Sequence, residues 1–201
     1  MTTSVEPQPT ARRWFRCWCG ERWNEPSSGQ GCEHEVGVGE SVKQRYTLNI
    51  NGEWFDTEAE PSESLLDVLR ENLRLTGAKK GCDEAECGSC TVLLDGRPVV
   101  SCLVLIGDAR QKRITTIEGL SREGQLHPVQ ARMIQRGGIQ CGYCTPGIIM
   151  SAYALLQENP NPTREEIKFA ISGNICRCTG YNKIIEAVEA AAADLHGSKR
   201  E

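Results

Sequence analysis

Eleven cysteines stand in a chain of 201 residues, and they fall in tight groups. Cys82, Cys87 and Cys90 lie within nine residues, with Cys102 downstream. Cys141 and Cys144 form one close pair and Cys176 and Cys178 another, with 31 residues between the pairs. Cys17, Cys19 and Cys32, with His34, make a further group near the N-terminus. Thiols in such numbers either pair as disulfides in an oxidising compartment or bind metal as thiolates. The count is odd, and Met1–Thr10 lacks the apolar core of a secretory signal. The chain therefore reads as cytoplasmic, and its clustered thiols as metal ligands.

The first group has the spacing C-x4-C-x2-C with a fourth cysteine later, the plant-type pattern for a 2Fe–2S cluster. Gly81 and Gly88 would let the loop backbone come close and turn its N–H groups towards the sulfurs. Zinc sites usually set their cysteines in two separated knuckles, which fits three thiols in nine residues poorly. The second group is ambiguous on spacing alone, because two close pairs suit zinc as well as iron–sulfur. Each pair precedes an expected helix start, where free N–H groups favour thiolates.

Those groups need elements to hold them. Tyr46–Ile50, the turn Asn51-Gly52 and Glu53–Thr57 read as a β-hairpin. A short amphipathic helix starts at Ser64, with Leu65, Leu66, Val68, Leu69 and Leu73 on its apolar face and Gly77 beyond its end. Thr91–Leu94, Asp95-Gly96 and Arg97–Ser101 read as a second hairpin, whose return strand would carry Cys102. Ile114–Ile117 reads as a closing strand. From about residue 120 the pattern turns helical: Val129–Gln135, a helix opened by Pro146, a third capped by Thr163 and Glu166, and a last one over 182–195. The expectation is an α+β chain: an N-terminal β-grasp, plant-ferredoxin-like domain over 46–119, then a small four-helix bundle over 120–195 that carries the two close cysteine pairs. An extension over 1–45 and a polar tail over 196–201 flank them.

The motifs carry a resemblance. Gly81–Val92, with GCDEAECGSCTV, resembles the first cluster motif of small subunits in the xanthine oxidase family of molybdenum hydroxylases. His127-Pro128-Val129-Gln130, then Gln140–Gly147, then Gly173–Tyr181 resemble that family's second motif. The resemblance covers about residues 46–195. It implies two 2Fe–2S clusters, on Cys82, Cys87, Cys90 and Cys102 near a flavin, and on Cys141, Cys144, Cys176 and Cys178 near molybdenum. Gln140 matches the position that hydrogen-bonds the pterin of the molybdenum cofactor, and the Cys144 thiolate would approach the pterin edge. Ala85 departs from the family pattern, where glycine is common. The implied partners are a large molybdenum-cofactor subunit and a medium FAD subunit, in a dimer of heterotrimers. Within that complex this chain would pass electrons and do no substrate chemistry.

Family small subunits usually begin near Tyr46, so about 45 residues here are additional. Cys17, Cys19, Cys32 and His34 supply a zinc ligand set, although the C-x-C spacer is short. The alternatives are a third iron–sulfur cluster, or no metal with Trp14, Trp18 and Trp23 docking on a partner. His127 and Tyr143 read as structural rather than ligating or redox-active. A net charge of -4 argues against nucleic-acid binding, and no apolar run approaches a membrane span. The rival functional readings are a free-standing two-cluster ferredoxin, a zinc-stabilised interaction module and an iron–sulfur transcription regulator.

Overall fold

The structure is a computed structural model that describes residues 42–197. Strand β1 (Gln44–Ile50) alternates, burying Tyr46, Leu48 and Ile50 and exposing Arg45 and Thr47. It turns back into β2 (Glu53–Ala59) through Asn51 and Gly52, with φ of 55° and 90°. Two left-handed residues make the tight turn that matches strand twist. The second hairpin joins β3 (Thr91–Leu94) to β4 (Arg97–Val100) through Asp95 and Gly96, again both left-handed. Strand β5 (Arg113–Thr115) lies between the hairpins, parallel to β1 and antiparallel to β3. The sheet order is β2-β1-β5-β3-β4.

The first helix departs from the regular amphipathic one expected. Only α1 (Leu65–Asp67), capped by Ser64, is α-helical, and Val68–Asn72 widens into a π-turn. The Leu73 N–H reaches back to the Val68 carbonyl, and Arg70 donates to the carbonyls of Thr76 and Ala78, drawing the chain off the helix axis. Leu65, Leu66, Val68 and Leu69 are buried even so. They pack with β1, Val92 and Ile114 into one core.

A second core forms from helices α2 (Pro128–Gln135), α3 (Thr145–Glu158), α4 (Arg164–Ala170) and α5 (Asn182–Gly197). Helix α3 is apolar nearly all round and lies at the centre. Ile148, Met150 and Ile167 are fully buried, each contributing about 1.5–3 kcal/mol. Capping boxes open α2, on His127 and Gln130, and α4, on Thr163 and Glu166. His127 is thus a helix-start residue, accepting the Val129 N–H at Nδ1. Arg132 grips Asp194 through two hydrogen bonds of 2.6 Å, tying α2 to α5. Leu93 of β3 joins this second core, so the sheet and the helices share a packed seam. Among the described residues, no helix is long and apolar enough to cross a membrane.

Candidate metal centres

Cys82, Cys87 and Cys90 lie on the loop between the π-turn and β3. Asp83, Ala85 and Gly88 on that loop all have positive φ, between 61° and 66°. This curls the backbone so that its N–H groups converge on sulfur, as an anion nest does. The N–H groups of Glu84 and Cys87 donate to Cys82 Sγ at 3.4 and 3.3 Å. Ala85 takes the left-handed form despite its methyl group. Gly81 is required by close approach: a Cβ there would lie 2.8 Å from Cys87 Sγ and 2.7 Å from the Ser89 hydroxyl.

Cys102 sits in a short 3-10 turn, Ser101–Leu103, and not on the strand expected to carry it. The ladder between β3 and β4 ends with Thr91 opposite Val100. Beyond it, the Ser101 hydroxyl and N–H both turn to the Cys90 carbonyl. That tightens the chain and leaves Cys102 beside Cys90, both buried. Burial first, then the Cys90 sulfur, pushes the Cys102 thiol up to about 11, against the Ala85 N–H. Burial also works to raise Cys87. The Ser89 hydroxyl, the Ser89 backbone N–H and Cys82 outweigh it and bring that thiol to about 7.

The second quartet meets where two loops converge. Cys144 is the N-cap residue of α3, and Cys176 and Cys178 precede α5. Cys178 Sγ lies 3.6 Å from Cys141 Sγ, both residues exposed. Cys144 and Cys176 face each other, half-buried. Burial, then Cys176, pushes Cys144 up to about 12. Burial opposes the lowering of Cys176, which the Thr179 hydroxyl and N–H groups of the loop achieve. Cys178 is raised by its contact with Cys141. Among the described residues, no three His, Cys, Asp or Glu side chains are gathered as one ion would need. The sulfurs meet in twos: 82 with 87, 90 with 102, 141 with 178 and 144 with 176.

The two loops also touch each other. The Ile175 N–H donates to the Cys87 carbonyl at 2.9 Å, and the Tyr143 hydroxyl donates to the Lys80 carbonyl. Tyr181 accepts the Cys176 N–H at 2.7 Å and donates to the Asn174 carbonyl. Tyr143 therefore hydrogen-bonds, although it stands exposed rather than buried. Ser89, Asn174, Thr179 and Tyr181 received no role from sequence. Their signal was proximity: each is a hydroxyl or amide within three residues of a grouped cysteine. Gln140 is exposed beside Cys141, and Arg177 is exposed between Cys176 and Cys178. Cys17, Cys19, Cys32 and His34 lie outside the described residues.

Comparison with known proteins bears on these two quartets. Residues 48–116 match the 2Fe-2S iron-sulfur cluster binding domain, and residues 116–189 match the [2Fe-2S] binding domain. The nicotinate dehydrogenase small FeS subunit of Eubacterium barkeri is 51% identical over 144 residues, 72% of this chain and 92% of that subunit. The chain belongs to the small iron–sulfur subunits of the xanthine oxidase family. Another such subunit, the aldehyde oxidoreductase iron-sulfur-binding subunit PaoA of Escherichia coli (strain K12), is 45% identical over 164 residues, 74% of this chain and 72% of that one. The structure of quinoline 2-oxidoreductase from Pseudomonas putida 86 superposes with a TM-score of 0.75 at 42% identity, covering 79% of this small subunit and 99% of that chain. All these matches leave part of the chain uncovered.

Proposed function

We propose that this chain is the electron-transfer subunit of a molybdenum hydroxylase. The observation that carries the reading is the pairing of eight thiols in two separate quartets whose loops bond directly to each other. The fit to two 2Fe–2S clusters rests on the donor set. Each iron of such a cluster takes two thiolates, and each quartet offers two sulfur pairs. Backbone N–H groups aimed at Cys82, and hydroxyls beside Cys87 and Cys176 that are free to donate, suit anionic sulfur. Cys82, Cys87, Cys90 and Cys102 would hold one cluster, and Cys141, Cys144, Cys176 and Cys178 the other. When bound, the clusters supply one-electron relay between a molybdenum subunit and a flavin subunit.

Residues 46–119 are read as a plant-ferredoxin-like β-grasp and 120–195 as a four-helix cluster domain, each with its own core in support. A large molybdenum-cofactor subunit would dock beside Gln140, whose exposure suits contact with a pterin. Exposure favours Cys141 and Cys178 over the half-buried Cys144 as the sulfurs facing that cofactor. A medium FAD subunit and a dimer of heterotrimers complete the assembly. A cytoplasmic setting suits thiols held free for metal. Leu103, Leu105, Tyr143 and Ile175 remain exposed apolar residues around the cysteine loops, in keeping with burial by partner chains.

Metal and sulfide analysis tests the proposal. The expected result is about four irons and four sulfides per chain, with two distinct 2Fe–2S paramagnetic signals on reduction. A single kind of signal, or zinc in place of iron, would refute it. Zinc measured in the same sample decides whether the 1–45 extension binds that metal.

A further inference from the structure

Asn174 lies at the seam between the two quartets. It is 3% exposed, and it precedes Cys176 by two residues in the helical half. Its side chain nevertheless works on the sheet half. Nδ2 donates to the Gly88 carbonyl at 2.8 Å and to Thr91 Oγ1 at 3.2 Å, while Oδ1 accepts from the Ser151 hydroxyl at 2.7 Å. The orientation of the amide is fixed, because turning it over would set Oδ1 against the Gly88 carbonyl, acceptor to acceptor. The surroundings leave no slack. A Cβ on Gly88 would lie 2.2 Å from the Gly173 carbonyl oxygen, and one on Gly147 would lie 2.2 Å from the Gly88 carbonyl oxygen.

The 88–89 peptide is trans and planar, so its carbonyl and its N–H point opposite ways. Asn174 holds the carbonyl from the helical half, together with the Thr91 hydroxyl at 2.6 Å and the Thr91 N–H at 3.1 Å. Ser89 itself turns to Cys87 Sγ on the other side. The Ser89 hydroxyl lies 2.9 Å from the same sulfur. A ligating thiolate carries no proton, so there the hydroxyl must be the donor. Donors to sulfur stabilise the more negative, reduced state of a cluster and raise its potential.

We propose that Asn174 is a positioning residue for the cluster of the opposite half: by gripping the Gly88 carbonyl it fixes the 88–89 peptide, holds the Ser89 hydroxyl against Cys87 and raises that cluster's reduction potential. The inference rests on the reading of Cys87 as a cluster ligand. It separates from a local packing role by where the effect falls. Asn174 is two residues from Cys176, so packing alone would disturb the helical-half cluster first.

The test is a potentiometric titration of the assembled, iron-loaded complex, followed by paramagnetic resonance of both clusters. Cys102→Ala, which removes a sheet-half ligand, assigns the two signals. In Asn174→Ala the sheet-half cluster becomes threefold to tenfold harder to reduce, tenfold being about 59 mV for one electron, and the helical-half midpoint stays. Ser89→Ala shifts the same cluster in the same direction. Asn174→Ser keeps a small polar group in the seam but is too short to reach the Gly88 carbonyl, and it gives the same direction if the alanine variant does not assemble. An unchanged sheet-half midpoint, equal shifts in both clusters, or a shift in the helical half alone overturns the proposal. A parent complex without two distinct clusters overturns instead the ligand reading on which it stands.

Discussion

Replacing Gly147 by alanine adds one methyl group in the first turn of α3, where the chain is buried. In an open helix the change would stabilise by about 1 kcal/mol. Here the new carbon would stand 2.2 Å from the Gly88 carbonyl oxygen, 3.1 Å from Asn174 Nδ2 and 3.1 Å from Ser89 Cα. The nearest atom is backbone in a packed loop and cannot swing aside. Ordinary contact needs about 1 Å more, so the loop must shift and the Asn174 bond to Gly88 must stretch. Overpacking at the upper end of its usual range, about 3 kcal/mol, plus a hydrogen bond worth about 1 kcal/mol, outweighs the propensity gain. The expected net loss is about 3 kcal/mol, or roughly 6–12 °C in the melting midpoint for a chain of this size. Gly107→Ala is the control, since nothing lies within 4 Å of a Cβ there and its φ is not positive. Circular-dichroism melts of the two variants beside the parent read the difference. A Gly147→Ala protein that melts with or above the parent refutes the tight seam.

Ala85→Gly should stabilise the first cysteine loop by about 1 kcal/mol, because φ of 61° strains alanine and not glycine; denaturant midpoints at unchanged iron content check this. Burial first, and then the Arg122 charge, holds the His127 imidazole below its usual range. The unfolded chain takes up a proton near pH 6.5 and the folded chain only lower, so this contribution to stability is complete above that pH. It falls as pH drops towards the depressed folded value and then levels off. Urea midpoints against pH should show that decline, and His127→Asn, which keeps a capping acceptor without titrating, should flatten it. Arg132→Ala should lower the urea midpoint only slightly despite two 2.6 Å bonds, because water screens both partners. The loss should shrink in high salt; one that persists there contradicts the assignment.

Local rules wrote most of the elements plainly. Asn51-Gly52 and Asp95-Gly96 demand left-handed turns, and Thr163 with Glu166 demands a helix start, so both hairpins and α4 were legible. The first cysteine group was legible from its spacing, whereas the second was settled by the family resemblance. The π-turn after Asp67 was not legible, because it depends on Arg70 reaching carbonyls six and eight residues ahead. Cys102 was misplaced by one element for a similar reason. Its turn is set by Ser101 bonding to Cys90, eleven residues back, and strand propensity carries no trace of that. Asn174 shows the limit most clearly. Its partners Gly88 and Thr91 lie 86 and 83 residues away, and only the folded chain brings them to it.

The uneven exposure of the cysteines also orders how such a chain can be built. Cys90 and Cys102 are 3% and 8% exposed, so iron must reach them before β4 and its following turn close over the loop. Cys141 and Cys178 stand open at the surface. Their quartet can be filled, or stripped by oxidants and chelators, long after the chain has folded, until another surface covers it. Maturation of the first site thus belongs to folding, and preservation of the second to docking.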